Sequence, residues 1–234
     1  LHAAIREGNT PVVRNLVAAK QGLAEKDIHG VTPLLAAAEE ADPPTLALLL
    51  DAGIPVNQVD NRGRAAMHFA ARRGAIAAVR LLLAKGANPA AKDLMGRQPV
   101  HLAAGGGHVG VLELLAGAKV SMLANDALGL NPLGHAASYG QTEALVWLLD
   151  HGGKSPEPAG IMANPLALAS LANHLDTVDV LLARGLPVMD ADGDSLALRL
   201  AATYGRAGLF RKLLAAAPDP LPDSLLRAVA TSPT

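Results

Sequence analysis

The chain has no cysteine and very few aromatic residues: its 234 residues include one Trp, two Tyr and two Phe. The lack of cysteine excludes disulfide bonds and thiolate zinc sites, and it is compatible with a reducing compartment. No apolar stretch reaches the length that spans a bilayer, and no signal peptide is visible. We therefore expect an intracellular, cytoplasmic protein that makes no contact with membranes.

An excess of charge and the usual catalytic groupings are also missing. The net charge of −1 gives no overall attraction to nucleic acid. Serine is sparse, and no serine stands in the G-x-S-x-G pattern that exposes a nucleophile in hydrolases. We therefore expect no enzymatic activity, no cofactor, no metal and no nucleic-acid partner for these residues.

What the chain does have is a repeat with a period of 33 residues. This interval separates four glycines, which are Gly30, Gly63, Gly96 and Gly129. Three residues before each glycine stands an aspartate: Asp27, Asp60, Asp93 and Asp126. Self-similarity at one fixed period indicates stacked copies of a small unit, which usually offer an extended surface for binding.

Each repeat predicts two short helices with defined ends. A cap residue before proline, as in Thr32-Pro33 and Asn131-Pro132, favours the start of the first helix. Glycines permit the left-handed backbone at which helices end, and they stand at Gly8, Gly74, Gly107 and Gly140 and again at Gly53, Gly86, Gly152 and Gly185. We predict two departures: Ala41 replaces one such glycine, and Gly117 ends a helix early and lengthens the next loop.

The repeat resembles the ankyrin repeat, whose signature is Thr-Pro-Leu-His-x-Ala at this period. The matching segments are Thr32-Pro33-Leu34, Met67-His68-Phe69-Ala70-Ala71 and Pro99-Val100-His101-Leu102-Ala103-Ala104. Gly107-His108 and Gly86-Ala87-Asn88 are similar to the loop sequences of that family. The resemblance implies an all-α, ankyrin-like solenoid of stacked helix-turn-helix repeats with projecting β-turn tips.

The 33-residue period and the resemblance together predict a single ankyrin-repeat domain over residues 1–234. We expect seven units, at residues 1–26, 27–59, 60–92, 93–125, 126–158, 159–191 and 192–217. A C-terminal capping helix is predicted at residues 223–231, after three closely spaced prolines. Residue 1 falls inside the signature of the first unit, so we expect the chain to be a fragment of a longer protein.

Histidines and a glycine cluster could suggest other chemistry, but their positions favour structural roles. His2, His68 and His101 share one position of the repeat, and the resemblance implies that they bind backbone groups of neighbouring turns. His135 occupies an apolar slot and is predicted to be a partly buried, hydrogen-bonded residue. The G-x-G-x-x-G pattern at residues 105–110 falls between two helices, where no strand precedes it, so we predict a turn and not a dinucleotide site.

Positions that vary between repeats are candidates for binding, because they do not build the stack. The resemblance to ankyrin repeats implies that these positions lie at turn tips and along the concave groove. Arginines converge on the third and fourth units, and apolar residues occupy tips where water favours polar ones. Met, Arg and aromatic residues are enriched at the centres of protein interfaces. The predicted partner-binding residues are Arg62, Arg64, Arg72, Arg73, Leu94, Met95, Arg97, Leu128, Leu130 and Tyr139.

These observations favour a monomeric, non-enzymatic module that binds a partner protein through its groove and turn tips. An alternative remains that the array is the recognition domain of a larger enzyme or of a secreted bacterial effector delivered into a host cell. In that case the catalytic part would lie outside this chain. Nucleic-acid binding through the arginines is disfavoured, because Glu39 and Glu40 interrupt the basic surface.

Overall fold

The computed structural model describes residues 1–154, 164–189 and 194–218. Fourteen α-helices lie in these ranges: α1 His2–Arg6, α2 Thr10–Ala18, α3 Pro33–Glu39, α4 Pro43–Asp51, α5 Ala66–Arg72, α6 Ile76–Ala84, α7 Pro99–Gly105, α8 Val109–Gly117, α9 Pro132–Ser138, α10 Thr142–Asp150, α11 Pro165–Ala172, α12 Leu175–Ala183, α13 Leu196–Thr203 and α14 Ala207–Ala215. The predicted capping helix at residues 223–231 lies outside the described residues. We number the repeats by their helix pairs, so that the third contains α5 and α6.

The helices stack in two rows, which confirms the all-α solenoid. The first helices of successive repeats pack on one another from α1 to α13, and the second helices do so from α2 to α12. Each first helix also packs on the second helix of its own repeat. The described residues contain no strand, and an isolated antiparallel bridge joins Val59 to Ala65 at the base of one tip.

Small residues let the first helices approach closely. The same two positions of the first helix hold buried alanine in four successive repeats, namely Ala37 and Ala38, Ala70 and Ala71, Ala103 and Ala104, and Ala136 and Ala137. Larger buried side chains fill the space between the rows, among them Met67, Leu82 and Leu112. The core is therefore continuous along the stack, which fits a composition rich in Ala and Leu.

Left-handed residues end both helices of a repeat, in register with the 33-residue period. After the first helices they are Gly8, Ala41, Gly74, Gly107, Gly140 and Asn173, and Gly205 follows α13 one residue ahead of this register. After the second helices they are Lys20, Gly53, Gly86, Lys119, Gly152 and Gly185. The substitution predicted at Ala41 therefore keeps the geometry, at the cost of a positive φ of 55°. The early helix end predicted at Gly117 is wrong: α8 ends at Gly117 in the same register as α6 ends at Ala84, and Lys119 takes the left-handed position.

Candidate protein-binding surface

The turn aspartates shape the tips that project from the stack. In the fourth repeat, Oδ1 of Asp93 accepts hydrogen bonds from the backbone N–H groups of Met95 and Arg97, each at 2.9 Å. The same pair of bonds is made by Asp27, Asp60 and Asp126. Each aspartate thereby holds the first residues of its tip outward and turns the residue four positions on toward the core.

Backbone hydrogen bonds link each tip to the next. The N–H of Asn61 donates to the carbonyl of His29 at 3.0 Å. The equivalent bonds run from Leu94 to Arg62 at 2.9 Å and from Ala127 to Met95 at 2.8 Å. The four tips therefore form one continuous edge, and side chains on neighbouring tips lie on a common surface.

Apolar side chains are exposed on this edge. Leu94 is 77% exposed, and Met95 and Leu128 are also exposed, as predicted. The predicted exposure of Leu130 is wrong: only 7% of it is accessible, because Asp126 binds its N–H and turns it inward. Ile28, which the predicted site does not include, is 89% exposed at a tip position equivalent to that of Leu94.

Two of the predicted arginines are anchored within their own tips. The Nε and Nη2 atoms of Arg97 lie 2.9 and 2.8 Å from Oδ2 of Asp93. Arg64 places the same two atoms 2.8 and 2.6 Å from Oδ2 of Asp60. Both aspartate side chains are buried, so these ion pairs build the tips as well as supply charge. The expectation that Arg64 and Arg97 occupy positions that do not build the stack is therefore wrong.

Burial and hydrogen bonding shift the pKa of the Asp60 carboxyl group in opposite directions. Burial alone would raise the pKa of Asp60, but hydrogen bonds from Arg64 and Arg62 outweigh it and hold the pKa below its ordinary value. Asp60 is therefore an anion at neutral pH, and it fixes the Arg64 guanidinium in place.

A small pocket of about 190 Å³ opens between the third and fourth repeats. Its lining residues are Arg62, Arg64, His68, Phe69, Arg72, Arg97 and Leu102. The Phe69 ring is an apolar wall on which guanidinium groups lie, with Cζ of Arg64 at 4.6 Å from the ring centroid and Cζ of Arg72 at 5.8 Å. Cation–π contacts of this kind hold arginines over an aromatic face. We call this feature the arginine pocket.

The remaining arginines are more accessible. Arg72 pairs with Glu39 of the preceding repeat at 2.7 Å, and both side chains are partly exposed, at 46% and 37%. Arg62 and Arg73 are exposed, and neither has an ion pair among the described residues. The structure therefore brings four of the five predicted arginines to one pocket and places Arg73 beside Arg72 at the end of α5.

Tyr139 lies beside the end of α7. It is 62% exposed, and a Cβ added to Gly105 would lie 3.2 Å from its ring. The ring therefore packs next to a position of the fourth repeat that carries no side chain, and it does not line the arginine pocket.

Comparison with known families agrees with this geometry. The family model for ankyrin repeats (3 copies) matches residues 1–93 and again residues 88–158. The chain belongs to the ankyrin repeat family. Comparison with curated proteins finds no significant match. Ankyrin repeats are generally protein–protein interaction modules and are typically not catalytic.

The histidines of the ankyrin signature bind backbone groups, as the resemblance implied. Nδ1 of His68 accepts from the N–H of Ala65 at 3.1 Å, and its Nε2 lies 3.0 Å from the carbonyl oxygen of Arg97 in the next repeat. Nδ1 of His101 accepts in the same way from the N–H of Gln98, but its Nε2 lies 2.8 Å from the carbonyl oxygen of Ala124 and not from that of Leu130, which is the position equivalent to Arg97. Burial lowers the pKa of both rings, that of His101 to about 4, so both are neutral at pH 7.

A second set of histidines joins the loops of this ankyrin array. Nε2 of His108 lies 3.0 Å from the carbonyl oxygen of Arg72, one repeat back. His174 makes the same contact with Ser138 at 3.2 Å. His108 thus anchors the end of α5, where Arg72 and Arg73 project. Of the glycines at residues 105–110, Gly106 and Gly107 lie in the turn between α7 and α8, whereas Gly105 ends α7 and Gly110 belongs to α8. As predicted, a helix and not a strand precedes this pattern.

Within residues 1–154, 164–189 and 194–218, no group of three or more His, Cys, Asp or Glu side chains is placed to hold a metal ion. In the same ranges no helix combines the length and the apolar character needed to cross a membrane.

Proposed function

We propose that this ankyrin array is a non-enzymatic module that binds another protein through the tips and groove of its second to fifth repeats. The observation that carries the proposal is the continuity of the arginine pocket with exposed apolar tips. Arg97 lines the pocket, and the same tip presents Leu94 and Met95 to solvent. Exposed apolar groups beside arginines have the composition of a protein interface.

Rigidity of the surface supports binding without large rearrangement. The tip bonds between Leu94 and Arg62 and between Ala127 and Met95 tie neighbouring repeats together. The buried ion pairs of Asp60 and Asp93 fix two guanidinium groups. Side chains that are already ordered lose little conformational entropy on association. The entropic cost of binding a partner at this surface should therefore be low.

The proposal is tested by capturing partner proteins from a lysate of the encoding organism. The parent chain is compared with two double variants, each of which replaces two arginines by glutamate. Arg72→Glu/Arg73→Glu reverses charge in the groove. Arg14→Glu/Arg80→Glu reverses charge on exposed positions of the second helices, α2 and α6. The proposal predicts that the parent and the second variant retain the same protein and that the first variant loses it.

Circular dichroism melts of both variants provide the stability control. Exposed ion pairs such as that of Arg72 with Glu39 contribute only about 0–1 kcal/mol, so both variants should melt close to the parent. If the groove variant stays folded and retains the same proteins as the parent, the assignment of the groove as the binding surface is wrong.

A further inference from the structure

We infer that the arginine pocket receives a carboxylate side chain from an acidic segment of the partner protein. The inference rests on the proposed function and adds the chemical class of the ligand. Arg62, Arg64, Arg72 and Arg97 line one small space, and Arg73 stands next to Arg72. The residues that pair with them are three carboxylates, those of Asp60, Asp93 and Glu39. The pocket therefore keeps an excess of positive charge that a carboxylate would balance.

The anchored arginines have hydrogen-bond donors left over. A guanidinium group offers five N–H donors. Arg97 directs Nε and Nη2 at a single oxygen of Asp93, and Arg64 does the same with Asp60. Within the described residues, Nη1 of neither arginine has a protein partner. These donors are held in place by buried ion pairs, so they can bind an anion without first being ordered.

Arg72 already binds a carboxylate of the kind proposed. Its partner Glu39 comes from the preceding repeat, and both side chains are partly exposed to solvent. An exposed pair contributes little stability, so a carboxylate that also reaches Arg62 can replace Glu39 at small cost. The Phe69 ring keeps the Arg72 guanidinium over the pocket while this exchange takes place.

The size of the pocket favours a side chain over a free small molecule. Its volume is about 190 Å³, whereas small-molecule sites usually occupy about 300–1,000 Å³. A carboxylate side chain with a few waters fits this space, since each water takes about 30 Å³. The exposed Leu94 and Met95 beside the pocket would contact apolar residues of the same partner segment, which nucleic acid does not offer.

The test uses a bead-bound library of random unphosphorylated peptides, the full chain and two variants. Arg62→Gln/Arg72→Gln removes charge from the pocket without touching the buried ion pairs. Arg14→Gln/Arg80→Gln is the matched control on the second helices. We expect peptides retained by the parent and by the control to be enriched in Asp and Glu, and the pocket variant to lose that enrichment. Replacing the critical Glu by Gln in a retained peptide should weaken binding roughly ten- to hundredfold, since hydrogen bonds between charged groups are strong.

Several outcomes would overturn the inference. Retained peptides without acidic enrichment would show a peptide-binding module with another specificity, which leaves the proposed function standing. If no peptide is retained while lysate capture still depends on Arg72 and Arg73, the partner is recognised by other means. Tighter binding of phosphoserine peptides, or of a labelled single-stranded DNA, with the same dependence on Arg62 and Arg72 would assign the pocket to phosphate.

Discussion

Nε2 of His135 lies 2.9 Å from Oδ2 of Asp126, where it takes the place that an arginine holds in the two preceding repeats. In those repeats Arg64 and Arg97 bind Oδ2 of the turn aspartate. The residue equivalent to them in the fifth repeat is Leu130, whose side chain has no hydrogen-bond donor. The imidazole of His135 therefore supplies the missing hydrogen bond from the adjacent helix, and Asp126 remains paired although its side chain is buried.

This relationship predicts that His135→Leu destabilises the fifth repeat and that Leu130→Arg compensates for it. The single substitution leaves a buried carboxylate without its partner, which should cost about 1–3 kcal/mol. The double variant recreates the Arg97 and Leu102 combination of the fourth repeat and should regain much of that loss. Urea unfolding of the parent, both single variants and the double variant gives the coupling between the two sites. Equal stability of His135→Leu and the parent would show that the bond contributes nothing.

The histidines predict that the array loses stability in mild acid. The pKa of His101 is lowered to about 4, first by burial and then by the nearby His135, whose ring centroid is 5.3 Å away. Its unfolded value is 6.5, so between these values the unfolded chain binds the extra proton. Stability therefore falls as pH drops through this window, by about 2 kcal/mol for His101 between pH 7 and pH 5. Burial lowers the pKa of His68 in the same sense.

Urea unfolding at pH 7 and pH 5, with an NMR titration of the His101 ring, checks this effect. We expect a lower midpoint at pH 5 and a His101 ring that stays neutral there in the folded protein. A His101 ring that titrates near 6.5 in the folded state would contradict the assignment of these losses to buried histidine.

Comparison of Gly96→Ala with Gly86→Ala separates backbone strain from contact between repeats. Both glycines have positive φ, at 72° and 78°, and alanine there costs about 1–2 kcal/mol. A Cβ on Gly96 would also lie 2.8 Å from the backbone nitrogen of Ala127, whereas one on Gly86 would meet nothing described within 4 Å. Gly96→Ala should therefore be more destabilising by about 1 kcal/mol or more, because the bond between tips is disturbed as well.

Thermal melts of the two alanine variants measure this difference. If Gly96→Ala and Gly86→Ala melt at the same temperature, the continuous edge of hydrogen-bonded tips contributes no stability to the stack.

Replacement by alanine should change the free energy of unfolding by very different amounts at two leucines on neighbouring tips. Leu130 is buried, so Leu130→Ala should cost about 2–5 kcal/mol. Leu94 is exposed, so Leu94→Ala should change stability by less than about 0.5 kcal/mol. Under the proposed function, only Leu94→Ala weakens partner binding without loss of fold. A large loss of stability for Leu94→Ala would show that this side chain serves the tip and not a partner.

Much of the fold could be predicted from residue spacing, because backbone geometry repeats with it. The 33-residue interval places the left-handed helix ends of the first six repeats. The resemblance to ankyrin repeats anticipated the backbone contacts of His68 and His101. The prediction at Gly117 is wrong because the left-handed position falls at Lys119, 33 residues after Gly86. A residue other than glycine therefore takes the left-handed backbone that follows α8.

The candidate surface was harder to predict, since variation at a position does not show where its side chain lies. The residue four places after the turn aspartate varies among Val31, Arg64, Arg97 and Leu130, yet its N–H is always bound by that aspartate. The side chain at this position either fills space beside the core, as Val31 and Leu130 do, or pairs with Oδ2 of the turn aspartate, as in Arg64 and Arg97. The first tip residue varies because it faces water, and Ile28 belongs to that class.

The most direct measurement of the binding surface is photo-cross-linking from single positions to the captured partner. A benzophenone amino acid at position 94 or 139 lies on the tips or in the groove, and one at position 113 or 143 lies on the exposed side of the second helices. The account predicts cross-links to the partner from positions 94 and 139 and none from 113 and 143. Cross-links only from 113 and 143 would contradict it and place the partner on the opposite face of the array.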